Sequence, residues 1–270
     1  MTSERYALIT PLYRVSVFRQ YGLFHGYLSR RDHVYLCMMV RMKKILAVQS
    51  RTQSECIVRE RGNFTRAVGA SAETTFLSAL DEQLAWTTPD ELLKGYDGVI
   101  FGGSSDFDFH GGRDEKDPAR LMSLIILSRA KNLVSYALAE KIPLLGICYG
   151  HQLIANMYGG EVGNDNEQSK FGSHDVHLTD EGRRDTLFKN FPESFVAQYA
   201  HNDSVTKLPE GATLLAGSHG CRFSALRYGV SAYTTQFHPE VLRFDDLPLE
   251  YRDSSEASKL IPLWIAHILP

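Results

Sequence analysis

The sequence predicts an α/β protein, with a mostly parallel central sheet covered by helices on both faces and an antiparallel extension toward the C-terminus. Three observations lead there. Short apolar runs alternate with helical stretches from residue 44 to about residue 158, the arrangement that parallel strands need for their crossover connections. Beyond that point the runs shorten and lose their intervening helices, as strands joined by turns do. The chain has 270 residues, 43% hydrophobic and 23% charged, enough apolar material for one globular domain with a substantial core.

Lys44–Gln49 reads as the first strand and Ser54 to about Val68 as the helix that returns from it. Thr74–Leu80 is the next strand, and Pro89–Lys94 a short helix with proline at its first turn. Val99–Phe101 forms a strand that ends in Gly102-Gly103, and a long helix follows from about Pro118 to Glu140. Ile142–Ile147 is a buried strand and residues 151–158 a helix. Extended runs at 174–179, 195–199, 213–217, 222–228 and 231–237 build the antiparallel part. Leu260–Leu269 closes the chain as a helix in which Pro262 demands a late start or a kink.

Residues 1–42 stand apart as an atypical N-terminal extension to a domain spanning 43–270. They carry six Arg against two acidic residues, many aromatics and no clear amphipathic repeat. Met38, Met39 and Met42 precede the first strand, so three readings stay open: a true start further downstream, a transit peptide, or a docking arm. The apolar stretches are too short and too interrupted by Arg for a signal peptide or a membrane span. A net charge of −3 disfavours nucleic acid as a partner. Cys37, Cys56, Cys148 and Cys221 lack paired metal spacing and fit a reducing, cytoplasmic compartment. His174, His177, His201 and His219 lack a compact ligand pattern, and no glycine-rich nucleotide fingerprint is present, so neither metal nor cofactor is expected.

Chemistry concentrates at Gly146-Ile147-Cys148-Tyr149-Gly150-His151-Gln152, where a lone cysteine sits between two glycines, after a strand and before a helix. A nucleophile elbow has this form. The glycines relieve the crowding of a tight bend that holds the nucleophile in a strained conformation. Free N–H groups and the dipole of a helix start favour the thiolate. The alternative is a buried structural cysteine.

Thr235-Gln236-Phe237-His238-Pro239-Glu240 supplies a base and an orienting carboxylate. Residues two apart on an extended chain share a face, so His238 and Glu240 both point toward the cysteine if the strand continues. Read alone, His238 is equally an ordinary strand-end histidine.

Together these segments resemble the class I (triad) glutamine amidotransferases, whose motifs G-[IVL]-C-x-G-x-Q and Q-[FY]-H-P-E are matched without a gap at Cys148 and His238. The resemblance runs from about Lys43 to the last helix. It implies a flavodoxin-like three-layer sandwich and a Cys148-His238-Glu240 triad, with an oxyanion hole from the backbone N–H groups of Gly103 and Tyr149. It also implies substrate contacts from Gly102 and Gln152. Tyr199-Ala200-His201-Asn202-Asp203-Ser204-Val205 is similar to the S-H-x-D-x-V pattern of the amidotransferase portion of GMP synthases, with alanine where serine is usual. That likeness adds His201 and Asp203, with Lys170 and Phe171 closing over the glutamine α-groups; an ordinary turn is the alternative for the last two.

The implied activity is hydrolysis of the L-glutamine side-chain amide to glutamate and ammonia through a γ-glutamyl thioester, with a separate synthetase as the ammonia acceptor. The alternatives are a γ-glutamyl peptidase or amidase with no acceptor, and a catalytically silent glutamine sensor. Ser104–Asp117 borders the expected site as a polar loop with two aromatics. It reads either as a lid or docking surface, or as an exposed loop with a small anchoring cluster. On the lid reading, deletion of Phe107–Gly112 leaves folding intact and alters turnover.

Overall fold

A computed structural model describes residues 13–19, 22–28, 41–244 and 251–270, the first two segments by their backbone. The chain divides into two units, one ending at Met42 and one spanning Lys43–Pro270. In the first, strands β1 (Tyr13–Arg19) and β2 (Gly22–Leu28) pair antiparallel, with Tyr13 opposite Leu28 and Arg19 opposite Gly22. The sequence reading expects no element there.

In the second unit, strands β3 (Lys43–Gln49), β4 (Ala72–Ser78), β5 (Gly98–Phe101) and β6 (Leu144–Ile147) alternate with helices α1 (Ser54–Val68), α2 (Pro89–Leu92) and α3 (Pro118–Ala139). Helix α4 (Tyr149–Met157) follows β6 directly. Then come β7 (Glu161–Asn164), β8 (Lys170–Leu178), α5 (Asp180–Arg184), β9 (Ser194–His201) and β10 (Asp203–Lys207). The chain continues through β11 (Ala212–Ser218), β12 (Cys221–Tyr228), β13 (Ala232–Thr235), α6 (Ser255–Ser258) and α7 (Leu260–His267).

Nine strands form one sheet in the order β4-β3-β5-β6-β13-β12-β11-β8-β9. The first five run parallel, and from β12 onward each neighbour is antiparallel. This is the expected mostly parallel sheet with its antiparallel extension. The period-2 alternation of a strand divides the core into two layers. Ile45, Ile100 and Leu145 pack on one face with Phe64, Val68 and Trp264 of α1 and α7. Leu46, Val48, Val99 and Leu144 pack on the other with Ile126, Leu133 and Leu153 of α3 and α4.

Helix α3 starts where Asp117 accepts a bond from the Ala119 N–H at 2.8 Å and Pro118 needs no acceptor. It is the one helix among the described residues long and apolar enough to cross a membrane. Ile126, Ala130, Leu133, Val134 and Ala137 instead bury its inner face against the sheet. Pro262 lies in the first turn of α7, where a missing N–H leaves no bond unmade, so neither late start nor kink is required. At the other end of α7, Lys43 Nζ donates to the carbonyls of Ile265 and Leu269 at 2.8 and 3.1 Å.

Candidate active site

The elbow is built from the strand outward. Cys148 caps α4 with φ 52° and ψ −102°, and among the described residues only it and Lys141 are non-glycine residues at positive φ. Such a conformation persists only where its surroundings enforce it. Here the Cys148 N–H donates to the Thr235 carbonyl at 2.8 Å, and the Gly150 N–H donates to the Gly102 carbonyl at 3.1 Å. A β-carbon at Gly150 would stand 2.3 Å from the Phe101 carbonyl oxygen, so only glycine lets the turn lie this close to β5. The thiol ends up buried, its Sγ 3.8 Å from the Ala200 carbonyl, at a helix start whose first N–H groups have no intrahelical acceptor.

Strand β13 lies parallel to β6, pairing Ala232 with Leu144 through to Thr235 with Ile147, so the chain leaving β13 emerges beside Cys148. His238 Nδ1 meets Glu240 Oε1 at 2.7 Å, both buried. Their meeting does not come from strand alternation. The extended run ends at Thr235, and a turn, with the Val241 N–H on the His238 carbonyl at 3.3 Å, folds Glu240 back onto the imidazole. Arg66 fixes that turn by donating to the Glu240 carbonyl at 2.7 Å. Burial disfavours a charged imidazole, but the Glu240 carboxylate and the Cys148 sulfur outweigh it and push the His238 pKa up to about 10. With Nδ1 given to Glu240, Nε2 is the nitrogen left for the thiol, and it has no hydrogen-bond partner among the described residues.

A pocket of about 340 Å³ brings together Cys148, Tyr149, Gln152, Phe171, His201, Asp203, His238 and Glu240. Gly103 abuts the triad: a β-carbon there would lie 3.0 Å from His238 Cε1 and 3.7 Å from Cys148 Cβ. Gln152 donates to the Asp203 carbonyl at 2.7 Å and reaches Gln236 Oε1 at 3.3 Å. Burial holds His201 neutral, with its pKa down at about 3.

Two expected contacts are corrected. Gly102 turns away from the pocket, its N–H on the Val48 carbonyl and its Cα against Glu60, so it shapes the loop from behind. Lys170 opens β8 with Nζ on Ser218 Oγ at 2.8 Å and over the Tyr199 ring, outside the pocket lining. The sheet starts four residues earlier than the extended run at 174–179, and that places Lys170 in a ladder opposite His201.

The loop Ser104–Asp117 is anchored at three places. Asp106 accepts from the Thr52 N–H and hydroxyl at 2.5 and 2.7 Å, tying the loop to the start of α1. Phe107 is buried and Phe109 stacks on Tyr149 at 5.5 Å between ring centroids. The Asp203 carboxylate accepts the N–H groups of His110 and Gly111, each at 2.6 Å. Asp203 thus serves the loop as well as the pocket, and removing Phe107–Gly112 would cut into the core that Phe107 joins.

Sequence reasoning missed one pair altogether. Arg51, at the end of β3, places Nε 3.0 Å from Glu60 Oε1 of α1, with side-chain exposures of 12% and 3%. Gln49 Nε2 donates to the other Glu60 oxygen at 2.8 Å. A signal existed in the chain: Glu60, Phe64 and Val68 fall at four-residue spacing on the buried stripe of α1, and a carboxylate there requires a partner.

The model of the class I glutamine amidotransferase family matches residues 82–244, and the chain belongs to that family. It is 45% identical over 116 residues to the glutamine-hydrolysing subunit of the GMP synthase of Methanocaldococcus jannaschii, a match covering 43% of this chain and 60% of that protein, less than two thirds of its length. It is 31% identical over 188 residues to the corresponding protein of Methanothermobacter thermautotrophicus, covering 68% of this chain and 87% of the relative. Two solved structures share the fold. A Thermoplasma acidophilum protein described as a component of GMP synthase has a TM-score of 0.62 at 22% identity, covering 84% of this chain and 94% of its own. A glutamine amidotransferase of Thermotoga maritima has a TM-score of 0.52 at 23% identity, covering 75% and 78%.

Proposed function

We propose that the chain hydrolyses the side-chain amide of L-glutamine to glutamate and ammonia, and that the ammonia passes to an acceptor held by a separate synthetase subunit. The observation that carries this reading is the meeting of a strained, helix-capping thiol with the buried His238–Glu240 pair in one pocket. The Cys148 thiolate attacks the amide carbon, and the N–H groups of Gly103 and Tyr149 receive the developing oxyanion. The His238 imidazolium gives its proton to the departing nitrogen, so ammonia leaves and a γ-glutamyl thioester remains. Neutral His238 then takes a proton from water as its oxygen attacks the thioester carbon. The C–S bond breaks, the thiolate–imidazolium pair is restored, and glutamate departs, its acid proton going to solvent. Glu240 holds the Nδ1–H throughout, while Gln152, Phe171, His201 and Asp203 form the walls around the substrate.

The archaeal relatives, each named as one subunit of GMP synthase, support a separate synthetase as partner. Free thiols at Cys56, Cys148 and Cys221 support a reducing, cytoplasmic setting. In this reading residues 43–270 are the amidotransferase domain, and residues 1–42 are an extension to it.

Ammonia release from L-glutamine by the purified chain, alone and with the synthetase component of a GMP synthase, tests the reading. Release that disappears in Cys148→Ala is the expected result. Amine release from γ-glutamyl peptides without ammonia from glutamine would replace it with the amidase reading. Glutamine binding without turnover under every condition would make the protein a sensor.

A further inference from the structure

Arg51 and Glu60 lie outside the segment that the family model matches, and no step above uses them. Their geometry nevertheless converges on the nucleophile. Glu60 fixes one edge of the guanidinium through Nε, and Nη1 donates to Ser105 Oγ at 3.0 Å. Nη2 faces Gly103, 3.3 Å from where a β-carbon would stand, and that same point is 3.7 Å from Cys148 Cβ. One cation therefore touches the loop after β5 at two residues and stands behind the N–H that the proposed oxyanion hole requires.

We propose that Arg51 is a positioning residue of the thiol site: clamped by Glu60, it holds Gly103–Ser105 against the elbow and sets a fixed positive charge beside the Cys148 sulfur. The inference rests on the glutaminase reading and deepens it. Charged and titratable groups face Arg51 from every side: Glu60 on α1, Cys148 at the elbow, His238 and Glu240 after β13, and Asp106 in the loop. Burial opposes its charge, yet Glu60, Cys148 and Glu240 together hold the guanidinium above its ordinary value, so it stays cationic. Burial also pushes the Glu60 carboxyl up, against the pull of Arg51 and Gln49. Loss of Arg51 alone would leave that carboxylate unpaired.

The test is the pH dependence of Cys148 alkylation by iodoacetamide, read at the Cys148 peptide by mass spectrometry so that Cys37, Cys56 and Cys221 do not interfere. It is run on the unaltered chain, Arg51→Lys, Arg51→Gln and the double variant Arg51→Gln/Glu60→Gln, with kcat and KM for glutamine measured alongside. The double variant keeps the test valid if Arg51→Gln fails to fold. Arg51→Gln and the double variant are expected to move the alkylation midpoint upward by about one pH unit, the effect of losing one nearby opposite charge. They are also expected to lower kcat more than they raise KM, and Arg51→Lys to restore most of the midpoint. An unchanged midpoint and kcat in the folded double variant would overturn the proposal. A shifted midpoint in a chain with no glutaminase activity would remove the glutaminase reading and leave Arg51 acting on the thiol.

Discussion

At the scale of the residue, Cys148 holds its β-carbon where L-residues crowd their own backbone, at a cost of about 1–3 kcal/mol. That cost separates two substitutions which both delete the sulfur. Cys148→Ala keeps the β-carbon and the strain; Cys148→Gly removes both. Urea denaturation should find the glycine variant more stable than the alanine variant by about 1 kcal/mol. Equal midpoints would mean that the surroundings, rather than the backbone, absorb the conformation. The elbow was legible because strand, glycines and helix follow one another in sequence. The Arg51–Glu60 pair was not, since a polar residue at a strand end and another on a helix look solvated until the fold brings them together.

At the scale of the element, the loop Ser104–Asp117 is held by bonds that a sequence does not advertise. Two N–H groups on one carboxylate are charge-assisted and worth about 1.5–3 kcal/mol each. In Asp203→Asn, hydrogen exchange at His110 and Gly111 should speed up by roughly tenfold or more while the strands of the sheet keep their protection. Unchanged exchange at those two amides would show that Phe107 and Phe109 alone hold the loop. Strand type and order were legible from β3 to β6 because those strands are buried apolar runs. Strands β7 and β10 were not. Glu161–Asn164 and Asp203–Lys207 are short and polar, pair only with each other, and have no apolar alternation to read. Strand β4 ends two residues before the expected Leu80 because Ser78 Oγ takes the Leu80 N–H at 3.2 Å and turns the chain.

At the scale of the whole molecule, buried histidines pull stability in opposite directions with pH. His151 and His201 sit at about 3, lowered chiefly by burial, so the stability they contribute is complete above pH 6.5 and is lost as pH falls toward 3. His238 sits at about 10, so its contribution is complete below pH 6.5 and is lost as pH rises toward 10. Denaturant titrations across pH should therefore give a maximum near pH 6.5, with Glu240→Gln flattening the alkaline limb alone. A Glu240→Gln profile parallel to that of the unaltered chain would remove His238 as the source of that limb.

The pairing of β6 with β13 brings residues 144–147 beside residues 232–235. During synthesis the ribosome delivers the cysteine some ninety residues before the histidine. Every fragment that ends before β13 thus exposes a thiol with no imidazole to serve it. Proteolysis or premature termination would yield an inert remnant, so the proposed chemistry begins only on a finished molecule.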